Sequence, residues 1–230
     1  MSYAVFCIMM VFLVACFISC RFLEKGKGAI FSKTMASLGM VVGAILSFKF
    51  GHSEYTTYLL IGVVCGMLGD IYIELRKIYI EKERLTYFNA GMACFALGHV
   101  MYIISILKQV KTTNILLDIL VSIGVAVVFS VLLIIVLEKP MKMKFGDCKW
   151  QSFAYCIELT FVTVFSIMLY IRHGLSIYMM LGMISFLLSD LVLSLQFFGE
   201  GNFEDNKFLV ATNHILYYGA QVLLIGVLYI

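Results

Sequence analysis

ILLDILVSIGVAVVFSVLLIIVL, residues Ile115–Leu137, decides the fold, because this run contains a single charged side chain, Asp118. An α-helix needs about 20 consecutive, mostly apolar residues to cross about 30 Å of hydrocarbon, so the run is long enough to span a bilayer. The whole chain shares this character: 62% of its 230 residues are hydrophobic, only 13% are charged, and the mean hydropathy is +1.00. A soluble domain typically carries about 25% charged residues. The composition therefore excludes a soluble enzyme, a disordered protein and a nucleic-acid-binding protein, and it indicates an integral membrane protein.

Seven further runs have similar length and composition. The eight predicted spans are Tyr3–Cys20, Thr34–Phe48, Tyr55–Ile73, Leu85–Leu107, Ile115–Leu137, Trp150–Ile171, Gly174–Phe198 and Phe208–Ile230. The second is short, so we expect it to extend past Lys33, whose ammonium would reach the membrane interface on its apolar stem. Long continuous apolar runs argue against a β-barrel, whose strands alternate over about ten residues. The predicted fold is all-α, with eight transmembrane helices in a single domain over residues 1–230.

Lysine and arginine alternate between the loops. Thirteen of them lie in or beside the odd-numbered loops: Arg21, Lys25, Lys27, Lys33, Arg76, Lys77, Lys82, Arg84, Lys139, Lys142, Lys144, Lys149 and Lys207. The even-numbered loops hold four: Lys49, Lys108, Lys111 and Arg172. Because short cytoplasmic loops carry the excess of lysine and arginine, the pattern predicts cytoplasmic odd-numbered loops. The chain is then a multi-pass protein of the cell membrane with both termini outside.

Two segments of the chain are similar to each other. Gly62–Leu75 aligns without gaps on Gly182–Leu195, with identical Gly, Leu, Asp and final Leu residues at an offset of 120. Either a unit of four helices is repeated in the same orientation, as in some membrane proteins, or two unrelated apolar helices match by chance. A 4+4 parallel repeat would place Asp70 and Asp190 at similar depth, in the cytoplasmic half of the membrane.

Asp70 and Asp190 are the main candidates for function. A charged side chain at mid-bilayer costs at least about 2.5–3.5 kcal/mol on insertion scales, so an aspartate there needs a partner, a cavity or a proton. Asp70 follows Gly62 and Gly66 at four-residue steps, and such small residues let a neighbouring helix approach closely. This face should therefore point into the bundle. A structural role, with each carboxyl satisfied by Ser, Tyr or Gln side chains, is the alternative.

Other polar residues within the spans are secondary candidates. They are His99, Tyr102, Glu158, Ser189, Asn213, Tyr217 and Gln221. His99 and Tyr102 share a helix face, as do Tyr155 and Glu158. Asn213, Tyr217 and Gln221 follow at four-residue steps with His214 alongside, and this stripe should face the interior. Each of these side chains would either hold hydrogen bonds between helices or contact a substrate.

Several chemistries lack their motifs in this chain. There is no GxSxG nucleophile motif, no phosphate-binding loop and no dinucleotide fingerprint. The four histidines form no HxxxH pair and no HExxH, so a zinc site would need ligands from distant helices. The seven cysteines include no CxxC and six lie in apolar runs, which indicates free thiols. The inventory favours acid–base chemistry with no cofactor and no metal.

Four motifs, taken in order, resemble those of the YhhN-like family, whose members include lysoplasmalogenases. They are Gly66–Asp70 (GMLGD), Gly91–Tyr102 (GMACFALGHVMY), Gly182–Asp190 (GMISFLLSD) and Tyr217–Gln221 (YYGAQ). The resemblance spans roughly residues 30–230. One departure is that the family usually has Lys-Pro at the start of the second span, where this chain has Lys33 and Thr34.

The resemblance implies an eight-helix membrane hydrolase. Its substrate would be a lysoplasmalogen, a lysophospholipid whose vinyl-ether bond is cleaved to a fatty aldehyde and glycerophosphocholine or glycerophosphoethanolamine. The family's two aspartates correspond to Asp70 and Asp190. These would carry the acid–base chemistry, and His99, Tyr102, Tyr217 and Gln221 would position water or substrate.

Two other functions stay open at this point. A proton-coupled carrier of a small molecule or lipid would use the same two aspartates as proton shuttles. A metal-dependent lipid hydrolase would assemble its ligands across helices. Aldehyde release by purified protein in micelles separates an enzyme from a carrier, because a carrier needs two compartments.

Overall fold

The computed structural model describes residues 1–23, 27–49, 53–76, 81–110, 114–201, 203–204 and 206–229, without the side chains of residues 81 and 82. This part of the chain contains eight α-helices and no strand. The helices are α1 (Tyr3–Leu23), α2 (Lys27–Ser47), α3 (Glu54–Leu75), α4 (Glu81–Gln109), α5 (Leu116–Glu138), α6 (Lys149–His173), α7 (Ile177–Phe198) and α8 (Lys207–Gly226). All eight are long and apolar enough to cross a membrane. The predicted all-α fold with eight spanning helices is confirmed.

Two helix starts differ from the simple hydrophobic runs. α2 begins at Lys27 and so extends past Lys33, as expected. α7 begins at Ile177 and not at Gly174, where the sequence placed it. Gly174 has φ 68° and its backbone N–H bonds the carbonyl of Leu169, which ends α6. A glycine in the left-handed conformation is a common way to end a helix.

The chain divides into two compact units. The first contains residues 1–108 and 221–230, and the second contains residues 109–220. The first unit therefore holds α1–α4 with the last turns of α8, and the second holds α5–α7 with the first part of α8. The predictions of a single domain and of a 4+4 repeat remain predictions.

Close packing in the first unit depends on glycines. α2 packs against both α1 and α3. A Cβ atom at Gly62 would overlap the ring of Tyr102, and one at Gly69 would lie 2.8 Å from the ring of Phe95. Both aromatic residues are on α4, so the glycines let α3 and α4 approach each other. Gly62, Gly66 and Asp70 are all buried, and the prediction that this face of α3 points inward is confirmed.

In the second unit the loop between α5 and α6 packs against the end of α7. Met143 and Phe145 are buried, and the Phe145 ring lies 4.6 Å from that of Phe198. The backbone N–H of Lys144 donates to the carbonyl of Phe198 at 2.8 Å. The Lys144 ammonium lies 2.8 Å from the Glu200 carboxylate, whose hydrogen bond and charge raise the pKa of this lysine. This basic loop is therefore held in place by its own apolar core.

The other end of the second unit carries a buried carboxylate. Asp118, in the first turn of α5, is fully buried and accepts a hydrogen bond from Arg172 at 2.8 Å. His173 Nε2 lies 2.9 Å from the second oxygen of the same carboxyl group. The end of α6 is thereby joined to the start of α5.

Some residues used in the sequence analysis lie outside the described residues. They are Lys25, Lys77, Lys111 and Ile230, the side chain of Lys82, and His52, which is one of the four histidines. The orientation of the chain in the membrane remains a prediction. All seven cysteines are free, as expected.

Candidate functional site

Asp70 lies in a buried cluster of charged side chains in the first unit. Ser37 Oγ donates a hydrogen bond to Asp70 Oδ2 at 2.6 Å, and Lys33 Nζ lies 3.3 Å from Asp70 Oδ1. Lys33 Nζ is also 3.6 Å from Glu74 Oε2, and Arg21 Nε is 3.7 Å from Glu74 Oε1. Each of the five side chains is at most 6% exposed. We call these residues, Arg21, Lys33, Ser37, Asp70 and Glu74, the charge cluster.

Helix periodicity explains how the charge cluster forms. Lys33 and Ser37 are four residues apart on α2, and Asp70 and Glu74 are four residues apart on α3, so each pair occupies one helix face. Packing of α2 on α3 brings the two pairs together, and Arg21 on α1 completes the cluster. Among the described residues, the cations of Arg21 and Lys33 lie near the carboxylates of Asp70 and Glu74, and buried ionised groups require such partners of opposite charge.

Lys33 contradicts one expectation from the sequence. Its ammonium was expected to reach the membrane interface, but the residue is only 4% exposed and contacts two buried carboxylates. Unpaired charges are costly away from water, so the buried carboxylates of Asp70 and Glu74 need a cation close to them. The Lys33 ammonium meets this need and therefore lies beside them. Arg21, Lys33 and Ser37 were missed as site residues. The four-residue spacing of Lys33 and Ser37 marks one face of α2, but it does not indicate which helix that face meets.

Tyr102 and Gln221 form a second polar group in the first unit. The Tyr102 hydroxyl donates to Gln221 Oε1 at 3.1 Å, and both residues are essentially inaccessible. Within the described residues, Gln221 Nε2 is buried and meets no acceptor. His99 is fully buried with its ring 6.4 Å from that of Tyr102. The first unit thus contains four of the predicted site residues, Asp70, His99, Tyr102 and Gln221, of which Tyr102 and Gln221 are in direct contact.

Asp190 has hydroxyl partners in the second unit. The Tyr155 hydroxyl donates to Asp190 Oδ2 at 2.5 Å. Ser189 Oγ lies 3.3 Å from Asp190 Oδ1 and also donates to the carbonyl of Phe186 at 2.9 Å. Asn213 Nδ2 on α8 donates to the carbonyl of Ser189 at 2.8 Å. The Asp190 side chain is therefore held by a hydrogen bond from α6, and the adjacent backbone of α7 is held by a hydrogen bond from α8.

Asp190 is less buried than Asp70. Asp190 is only partly buried, whereas Asp70 is 2% exposed. A charged cluster with its own counterions allows complete burial at Asp70. Tyr155 was noted only as sharing a face with Glu158, and it is the residue at Asp190 that sequence reasoning missed.

The remaining predicted residues of the second unit also lie inside it. Tyr217 is buried, with its ring packed edge-on against Phe186 at 5.5 Å. Glu158 is partly buried and acts electrostatically on Tyr155. Asn213, Tyr217 and Gln221 are each at most 5% exposed, so the interior-facing stripe on α8 is confirmed. No group of three or more His, Cys, Asp or Glu side chains is placed to hold a metal ion in the described part of the chain.

These features define a multi-pass membrane protein with hydrogen-bonded carboxyl groups inside its helical units. Residues 28–228 match the model of the YhhN family, and the chain belongs to this family, which is the lysoplasmalogenase family. Membership suggests a hydrolase of the lysoplasmalogenase type. Comparison with curated proteins found no match, and comparison with solved structures found none either.

Proposed function

We propose that this protein is a lysoplasmalogenase that hydrolyses the vinyl-ether bond of a lysoplasmalogen without a cofactor. The products are a fatty aldehyde and glycerophosphocholine or glycerophosphoethanolamine. One observation supports the proposal: in a chain of this family, the motif residues Asp70, Tyr102, Asp190 and Gln221 all have polar groups engaged in side-chain hydrogen bonds, and Asp70, Tyr102 and Gln221 are buried. Their chemistry is that of general acids, bases and hydrogen-bond donors.

The chemistry of vinyl ethers requires an acid. These compounds resist bases and nucleophiles, but protonation of the carbon β to oxygen gives an oxocarbenium ion that water captures. The enzyme therefore needs one carboxyl group that is protonated and one that is ionised, as in glycosidases. Asp70 and Asp190 are the pair proposed for these two roles.

Further residues support binding of the substrate. The Gln221 amide has a buried donor without an acceptor among the described residues, which suits it to donate to an oxygen of the substrate. An unsatisfied buried donor costs about 1–3 kcal/mol, and a bound ether, hydroxyl or phosphate oxygen would remove this cost. His99, Glu158, Ser189, Asn213 and Tyr217 are proposed to position substrate, water or the aspartates themselves.

The lipid substrate also fits the chain as a whole. The single alkenyl tail of the lipid can pack against apolar helices. The phosphate of its head group is attracted to basic loops at the membrane surface. Lys139 and Lys142, in the ordered loop between α5 and α6, are both exposed. They are proposed to contact the phosphate of the head group.

The test uses purified full-length protein in detergent micelles with a 1-alkenyl lysophospholipid. Aldehyde and glycerophospho product are measured by mass spectrometry, and the matching 1-alkyl lipid, which lacks the double bond, serves as the substrate control. We expect Asp70→Asn and Asp190→Asn each to reduce turnover by about 100-fold or more, the usual contribution of acid–base catalysis. Asp147→Asn, at an exposed residue of the α5–α6 loop, is the matched control and should keep full activity.

Two results would contradict the proposal. Substantial aldehyde release by both asparagine variants would remove the aspartates from the mechanism. If the wild-type protein releases no aldehyde in micelles but moves protons and a solute across vesicle membranes, the protein is a carrier.

A further inference from the structure

Tyr102 and Gln221 form a buried polar pair in the first unit that uses only part of its hydrogen-bonding capacity. We propose that this pair binds the free hydroxyl group on the glycerol of the lysophospholipid and so makes the enzyme specific for lipids that carry this group. This role rests on the proposed function, because it names the part of the lysoplasmalogen that the two residues contact.

The Gln221 amide has one hydrogen-bond partner in the part of the chain that the structure describes. Its Oε1 accepts from the Tyr102 hydroxyl at 3.1 Å, whereas Nε2 is buried and meets no acceptor there. Gln221 is 0% exposed and Tyr102 is 1% exposed, so bulk water does not reach the amide. A buried polar group needs a partner, because burial has removed its hydrogen bonds to water. The pair therefore requires one more polar group, and a substrate can supply it.

A hydroxyl group fits both residues, because it donates and accepts hydrogen bonds. Its oxygen can accept from Gln221 Nε2, and its hydrogen can be donated to the Tyr102 oxygen, which keeps lone pairs while it donates to Gln221. The three hydrogen bonds then form a closed ring. If the amide is turned over, the ring runs in the opposite direction and a hydroxyl still closes it. An ether oxygen or an ionised phosphate only accepts, so neither can complete the ring.

The position of the pair also favours the glycerol hydroxyl over the phosphate. Tyr102 lies about 10 Å from the end of α4 at Gln109, at about 1.5 Å per residue, and is therefore inside the span. The phosphate is charged and is attracted to basic loops at the membrane surface, whereas Tyr102 and Gln221 are both neutral. The glycerol hydroxyl is neutral and is separated from the vinyl-ether oxygen by two carbon atoms. A contact with this hydroxyl therefore holds the reacting end of the lipid.

Packing holds the tyrosine in place before a substrate binds. The Tyr102 ring fills the space that a side chain at Gly62 would occupy, and its hydroxyl is tied to α8 through Gln221. Groups that are already in place lose little conformational entropy when a ligand binds. A lipid without the hydroxyl would leave these groups unpaired, and a site built to bond a hydroxyl rejects an analogue that lacks it.

The first experiment compares three 1-alkenyl lysophospholipids in the micelle assay. They are the lipid with the free hydroxyl, its 2-deoxy analogue, and its 2-methoxy analogue, whose oxygen accepts but cannot donate. We expect kcat/KM of the wild-type protein to fall at least about tenfold with either analogue, because the ring of hydrogen bonds is lost. An unchanged kcat/KM with either analogue would overturn the proposal.

The second experiment tests whether the two residues carry this preference. Gln221→Met removes the amide but keeps a side chain of similar length, and it should bring kcat/KM for the hydroxyl and 2-deoxy lipids to within about threefold of each other. Tyr102→Phe keeps the ring at Gly62 and should reduce the preference in the same way, so it serves if Gln221→Met does not fold. Gln196→Met is the matched control, because Gln196 is 7% exposed and donates to the carbonyl of Leu209 at 3.0 Å. It should keep the wild-type preference.

The ratio of the two lipids separates contact with the substrate from a structural role. A substitution that only disturbs the fold lowers turnover of both lipids by the same factor and leaves their ratio unchanged. Such equal losses in Gln221→Met and Tyr102→Phe would overturn the proposal and assign the pair to structure or to a bound water molecule.

Binding measurements separate this proposal from the proposed function. The probes are the 1-alkyl lysophospholipid, which lacks the vinyl ether, and its 2-deoxy analogue, and native mass spectrometry of protein released from micelles measures the bound fraction. We expect the wild-type protein to bind the hydroxyl lipid at least about tenfold more tightly, and Gln221→Met to bind both lipids to within about threefold. If the wild-type protein shows this preference but releases no aldehyde, the hydroxyl site stands and the proposed function fails. Aldehyde release together with equal binding of the two lipids would overturn the hydroxyl site and leave the function in place.

Discussion

Lys33→Met is the substitution whose effect on stability follows most directly from the structure. It removes an ammonium 3.3 Å from Asp70 and 3.6 Å from Glu74, while Arg21 remains 3.7 Å from Glu74. A pair of unit charges at 3.3 Å is worth about 5 kcal/mol at an effective dielectric constant of about 20. Breaking a buried ion pair typically costs about 3–5 kcal/mol. We expect the free energy of unfolding to fall by about 3–5 kcal/mol.

The double variant with Asp70→Asn gives this prediction its decisive test. Each single variant removes one partner of the Lys33–Asp70 ion pair, whereas the double variant removes both and retains the Arg21–Glu74 pair. The free energy of unfolding of the double variant should therefore fall by about 2–3 kcal/mol less than the sum of the falls in the two single variants. Such a coupling is typical of residues in one network. Helical circular dichroism during titration of mixed micelles with a denaturing detergent measures each loss. Losses that add to within about 0.5 kcal/mol would refute the proposed network.

Three further variants test other parts of the two units. Tyr155→Phe removes only the hydroxyl at Asp190 and should lower kcat about 10- to 100-fold in the micelle assay. Tyr170→Phe, on the same helix, is the control and should keep the wild-type kcat. Equal rates in the two variants would exclude a role for the Tyr155 hydroxyl. Gly62→Ala should cost about 1–3 kcal/mol of stability, because its Cβ overlaps a tyrosine ring, whereas Gly124→Ala, with open space around it, should cost nothing. Asp118→Asn should lower stability by about 1–3 kcal/mol in the detergent titration, because it removes the buried partner of Arg172; an unchanged midpoint would contradict that ion pair.

The helices could be predicted from the sequence because a membrane imposes one length and one composition on every span. Apolar runs such as Ile115–Leu137 therefore located all eight helices. The start of α7 was misplaced because hydropathy treats Gly174 as part of an apolar run, although its left-handed backbone ends α6. The burial of Gln221 followed from the four-residue spacing of polar residues on α8. Periodicity reports which face is polar, so it predicted burial correctly there.

Contacts between side chains of different helices were harder to predict. The spacing of residues along one helix shows which of them share a face, but it does not show which helix packs against that face. The motif residues Asp70 and Asp190 were singled out from the sequence. The Ser37 and Tyr155 hydroxyl groups that donate hydrogen bonds to them lie on other helices, α2 and α6. Lys33 was assigned to the membrane surface because basic residues near span ends usually lie there. Only the packing of α2 on α3 shows that this lysine neutralises buried carboxylates.

The charge cluster also constrains how the protein enters the membrane. Synthesis delivers Arg21 on α1 and Lys33 on α2 before α3 brings Asp70 and Glu74. Arg21 lies in the last turn of α1 and Lys33 in the second turn of α2, so both basic residues are near helix ends. A basic side chain near the end of a span can reach the lipid head groups on its apolar stem. The chain made before α3 would therefore keep both cations at the head groups, and their pairing with Asp70 and Glu74 would follow the synthesis of α3.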